Sequence, residues 1–165
     1  MTADGAHDPR AIANKILAIR KEQIAEPLTL MQLIKLVYIA DGWSMALRGK
    51  ALSRQAPQAW QYGPVYPTVY SAFKRFGSKP ITEPAYVKGT EIPYVESFTP
   101  DEEQLLEAVV KGYGKLSAFQ LSRLTHQPDT PWSEAYERGI YSEISREKMQ
   151  SHFSGLKAKR LVGAG

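Results

Sequence analysis

Residues 30–47 constrain this chain more than any other stretch, because they read as a helix that is apolar on almost every face. Only narrow polar strips interrupt it, at Gln32, Lys35, Asp41 and Ser44. Those breaks leave the run too short and too polar to span a bilayer. A helix of this kind sits in the middle of a domain, with other elements packed around it. Thr29 and Gln32 stand at capping-box spacing to start it, and Gly49 is placed to stop it. The remainder of the chain must therefore form a jacket.

The jacket is read mostly as helix. Asp8 before Pro9 predicts an N-cap with proline at the first helical position, and Ile12, Ile16 and Ile19 mark a buried stripe running to about Gln23. A strand-like piece from Pro57 ends in the turn Tyr62-Gly63-Pro64. Pro67 then opens a helix carrying Val69, Tyr70, Phe73 and Phe76, which Gly77 stops. Residues 78–98, with Pro80, Pro84, Pro93 and Gly89, read as a loop-rich β excursion that could pair with 57–62. Thr99 and Glu102, Ser117 and Gln120, and then Thr130-Pro131 start further helices, and a last one is expected from about Ser145 to Lys157. The fold class is mainly α: a compact helical domain of about six helices with a small antiparallel β element. We expect one domain over 9–158, with loose ends at 1–8 and 159–165.

Composition removes several functions. A chain of 165 residues with no cysteine has no disulfide, thiolate metal site or cysteine nucleophile. The start of the chain shows no apolar signal-peptide core, which makes the cytoplasm the default expectation. The net charge of +4 does not mark a nucleic-acid surface, since residues 101–165 hold nine basic and nine acidic side chains. Lys157, Lys159 and Arg160 form a small basic end that suits a helix C-terminus. No metal-binding histidine pair, phosphate-binding glycine loop or nucleophile elbow is present, so neither a cofactor nor a metal nor an enzyme is expected.

Four constellations remain. Asp41, Ser44 and Arg48 share a helix face, where Asp41 is expected to pair with Arg48; Lys35 on another face is read as a snorkelling side chain or a carboxylate's partner. The turn Trp60-Gln-Tyr62-Gly63-Pro64-Val65-Tyr66-Pro67, with Tyr70 and Lys74 on the following helix, is either a core corner or a partner-binding anchor. Within it, Tyr66 is expected to point outward and Tyr62 and Phe73 inward. His126 is expected to donate to a backbone carbonyl and Trp132 to pack in the core. Finally, the short helices at 117–125 and 131–138 vaguely suggest a helix-turn-helix, but Glu134 and Glu137 stand where a DNA-reading helix needs donors.

Taken in order, these pieces resemble the Panacea-domain family, also described as SocA-like antitoxins or phage-associated GepA-like proteins. Leu33-Ile-Lys35-Leu-Val-Tyr38-Ile-Ala-Asp41 is similar to its central helix, and Tyr62-Gly63-Pro64-Val65 to its strand end. Val69–Phe76 matches its aromatic helix. Thr125-His126 through Pro131-Trp132 resembles its T-H-x-x-x-P-W segment with an extra residue of spacing. The resemblance spans roughly residues 10–155. It implies an antitoxin that neutralises a cognate protein toxin by direct binding and, in the SocA-like branch, an adaptor that delivers the toxin to the ClpXP protease. On that reading Trp60, Tyr62, Pro64, Tyr66, Tyr70 and Lys74 are candidate partner-binding residues. Lys35, Tyr38, Asp41, Gly63, His126 and Trp132 are family-motif structural residues. A membrane partner is not expected and nucleic acid is the weaker alternative, as a DNA-binding regulator; an enzyme with a scattered site is weaker still.

Overall fold

The computed structural model describes residues 6–23 and 25–163, and among them are seven α-helices and one small hairpin. The helices are α1 (Pro9–Glu22), α2 (Leu30–Arg48), α3 (Pro67–Phe73), α4 (Pro100–Tyr113), α5 (Ala118–Thr125), α6 (Pro131–Arg138) and α7 (Arg146–Gly163). Strands β1 (Gln58–Trp60) and β2 (Gly63–Val65) pair antiparallel, with Trp60 opposite Gly63 across the turn.

The caps expected from the sequence are formed. Asp8 accepts from the Arg10 N–H, and Thr29/Gln32, Thr99/Glu102 and Ser117/Gln120 close reciprocal capping boxes. Each satisfies donors that a helix start otherwise leaves unpaired. Thr130 and Ser133 do the same for α6.

Helix α2 is the hub, touching α1, α3, α4, α5, α7 and β2. Leu33, Leu36, Val37 and Ala40 are wholly buried, as its all-round apolar sequence requires. Its most extensive packing is with α7. A Cβ on Gly42 would lie 2.1 Å from the Phe153 ring, so only glycine lets that ring come this near the helix. Phe153 then meets Trp43 edge-on at 5.4 Å.

Several expectations are corrected. The pairing of 78–98 with 57–62 does not occur: Tyr86 bridges Pro93 within the excursion, while β1 takes Ser142, Tyr141 and Ile144 on its other edge through backbone bonds at Ala59 and Pro57. Ala6 and His7, placed in the loose start, are buried. His7 bridges to Ser53 and sets its ring nitrogens against Glu96 at 2.7 Å and Glu102 at 3.0 Å. Helix α7 runs on to Gly163, past the expected end at Lys157. Residues 1–5, 164 and 165 of the proposed loose ends, and the Arg160 side chain of the basic end, lie outside what is described. Among the described residues no helix is long and apolar enough to cross a membrane.

Candidate partner-binding hairpin and its buried support

Four residues of α2, α5 and α6 reach the backbone or side chains of the segment 57–66 from behind. Lys35 Nζ donates to the Pro64 carbonyl at 2.8 Å. Ser122 Oγ donates to the Tyr62 carbonyl at 2.7 Å, and Trp132 Nε1 to the Trp60 carbonyl at 2.7 Å. Tyr66 Oη donates to Asp41 Oδ2 at 2.7 Å. A hairpin with three-residue strands is marginal by itself. Here its inward carbonyls are each met by a fixed donor, so it is held as part of the core.

Asp41 is the densest node of this support. Its Oδ1 accepts from the Leu52 and Ser53 N–H groups at 2.9 and 3.1 Å, and Arg146 Nη1 approaches Oδ2 at 3.3 Å. Arg146 Nη2 continues to the Ser53 carbonyl at 2.9 Å. One carboxylate therefore ties α2, the loop after it, the start of α3 and the start of α7. Burial pushes the Asp41 carboxyl up, against the opposing pull of the Arg146 guanidinium, the Tyr66 phenol and the two amides. Burial, with the Asp41 charge second, raises the phenols of Tyr38 and Tyr66. Breaking such a buried, fully bonded group is costly because the partner is left without compensation.

Lys35 is wholly buried and faces a carbonyl, correcting both sequence readings of it as snorkelling or paired to a carboxylate. Burial pushes its ammonium down to about 7. Gly63 explains how the turn comes so near: it sits at φ +115°, and a Cβ there would stand 3.1 Å from Lys35 Nζ and 3.2 Å from Thr125 Oγ1. Asp41 does not pair with Arg48, which instead bonds Ser44 Oγ at 2.8 Å and approaches Glu102 at 3.4 Å. His126 does meet a backbone carbonyl, that of Ser122, and stands edge-on to Trp132, which is itself half-buried and stacks on Tyr136.

The outward side of the same hairpin is aromatic. Trp60 lies between Tyr70 at 5.1 Å and Tyr141 at 5.4 Å, forming a three-ring wall. Tyr62 projects from the turn and is 60% exposed, while Tyr66 is 0% exposed, so the two tyrosines exchange the places expected for them. Pro64 is also buried, and Phe73 is in the core as expected. A groove of about 560 Å³ runs beside the wall, with Lys74 and Ile140 also lining it. Of the six candidate binding residues, the structure brings Trp60, Tyr62, Tyr70 and Lys74 to this groove and turns Pro64 and Tyr66 away from the solvent.

Sequence reasoning missed Arg146, Ser122, Ile140 and Tyr141. One signal for Arg146 was present: a cation in the first turn of a helix opposes the macrodipole and asks for a partner. Tyr141 carried none. It takes φ +70°, an uncommon conformation for a bulky residue, and is held there by its N–H bond to the Ala59 carbonyl at 2.8 Å. Among the described residues no group of three His, Asp or Glu side chains is placed to hold a metal ion.

The family described as "Antitoxin SocA-like, Panacea domain" matches residues 33–133, a span containing the hairpin and all the donors behind it except Arg146. The chain is 33% identical to Antitoxin SocA of Caulobacter vibrioides (strain NA1000 / CB15N) over 129 residues, which cover 76% of this chain and 68% of that protein. No solved structure matches the chain. With a family match over most of its length and a relative at this identity, the chain belongs to the SocA-like antitoxins that carry the Panacea domain.

Proposed function

We propose that this protein is the antitoxin of a toxin–antitoxin pair and neutralises its cognate toxin by direct protein binding, through the outward face of the hairpin. The observation that carries this reading is the division of the hairpin: its inner face is locked into the core, while Trp60, Tyr70 and Tyr141 form an aromatic wall beside the exposed Tyr62. Rigid tyrosine and tryptophan side chains offer large contact area at low entropic cost, which is how protein interfaces build their dominant contacts. The family supplies the antitoxin role and the hairpin supplies a surface for it.

Co-expression with the neighbouring open reading frame tests the reading. The expected result is rescue of growth and a stable complex on co-purification; failure of both overturns it. The adaptor role belongs to the same proposal as its finer step. In a reconstituted reaction the protein should speed degradation of the toxin by ClpXP without being consumed at a similar rate. An unchanged toxin half-life reduces the mechanism to sequestration.

A further inference from the structure

The groove beside the aromatic wall has an uneven chemistry. Among the described residues its only charged liners are Lys35, buried in its floor, and Lys74, exposed at its edge; no carboxylate lines it. Lys74 makes no ion pair among the described residues, whereas its neighbour Arg75 reaches Glu83 at 3.6 Å. The rim adds the phenols of Tyr62, Tyr70 and Tyr141, each with an O–H to donate. The walls between are apolar, from Met31, Ile34 and Val65. An occupant that suits this set brings acceptors of negative charge to the rim and an apolar side chain to the wall.

We propose that the groove receives a segment of the partner protein in which an Asp or Glu stands beside an aromatic or large aliphatic anchor, the carboxylate meeting Lys74 and the tyrosine hydroxyls. This rests on the antitoxin reading and specifies what the toxin presents. The anchor packs on the wall formed by Tyr70, Trp60 and Tyr141, displacing water from rings whose edges are already fixed. The carboxylate accepts from the ammonium and the phenols in a partly desolvated rim, where charge-assisted bonds are stronger than in open water. A phosphate backbone is a poorer occupant, since nucleic acid engages several cations in a row and, among the described residues, the groove edge offers the ammonium of Lys74 alone.

The test uses the intact protein and the product of the neighbouring open reading frame, purified as an inactive variant. Affinity is measured for the wild type, Lys74→Arg, Lys74→Glu and Tyr62→Ala. Both substituted positions are exposed, so folding is checked by melting and is expected to be unchanged. Lys74→Glu should weaken binding by about tenfold, with Lys74→Arg staying close to the wild type and the wild-type affinity falling with added salt. Tyr62→Ala should weaken it by about thirtyfold. Toxin variants selected to restore binding to Lys74→Glu should replace an acid with Lys or Arg. A wild-type complex indifferent to Lys74→Glu overturns this inference and leaves the antitoxin reading standing, whether or not Tyr62→Ala matters. Absence of any wild-type complex overturns both. Sedimentation of the free protein as a dimer that Tyr62→Glu dissociates would assign the groove to a second copy of the chain, against the inference.

Discussion

Tyr62 and Tyr66 stand four residues apart, on either side of β2, and meet opposite fates: the first is 60% exposed, the second 0% exposed. The difference extends to everything around them. Behind the hairpin, Pro64 and Tyr66 face a network in which Lys35, Asp41, Ser122 and Trp132 each make a specific bond. In front, Tyr70 and Tyr141 pack on Trp60, and Tyr62 projects beside them into the same groove. The lesson is that, under the proposed function, the family-motif residues act as support for the binding face. Lys35 and Trp132 bond the hairpin backbone from behind, and so fix the strands from which the outer rings project.

This comparison is broken most directly at Tyr66. Tyr66→Ala should cost about 3–5 kcal/mol in denaturant unfolding, because it removes a buried ring and strips Asp41 of a hydrogen bond. If that variant is as stable as the wild type, the inner face is not the support described. Gly63→Ala comes next. It forces a Cβ into a φ of +115° and against Lys35 Nζ, and should lower stability by about 1–3 kcal/mol while loosening the turn that presents Tyr62. Loss of partner affinity beyond the loss of stability would sharpen the link between the two faces.

Lys35 gives a smaller effect with a signature in pH. Its ordinary value is 10.5 and burial brings it to about 7 in the fold, so between those limits the unfolded chain holds a proton that the folded chain has released. Stability from this group is therefore complete above 10.5, and is lost as pH falls toward 7. The slope is at most about 1.4 kcal/mol per pH unit. Lys35→Met should flatten that part of the stability profile measured by urea unfolding at stepped pH. A parallel profile for the two proteins would mean that the ammonium is not desolvated under the turn. The smallest change is expected from Tyr62→Ala, which should leave unfolding within about 0.5 kcal/mol of the wild type. A larger loss would place Tyr62 in the fold after all.

Much of the architecture could be read before any coordinates. Thr29/Gln32, Thr99/Glu102 and Ser117/Gln120 announce three helix starts, because a capping box is a local arrangement of four residues that needs no distant partner. The central place of α2 was legible from its apolar faces, since no other environment tolerates them. The site was less so. The rings at Trp60, Tyr62 and Tyr70 were identified, but Tyr141 and Ile140, which complete the groove, lie some eighty residues further along the chain and reach it only through the backbone bonds beside β1.

What the sequence determined by itself was the set of helices, their starts to within a few residues, the buried hub and the family. Each depends on periodicity, capping and motif order, which are properties of neighbours along the chain. Tertiary structure decided which tyrosine turns inward, which cation answers Asp41, and where Lys35 ends. Arg48 is two helical turns from Asp41, yet Arg146 takes the place, because the start of α7 brings a guanidinium against both Asp41 and the Ser53 carbonyl. Tyr66 turns inward for the same reason. A buried carboxylate must be bonded on every side, and the donors able to do so are selected by where the packed elements bring them, not by their distance along the chain.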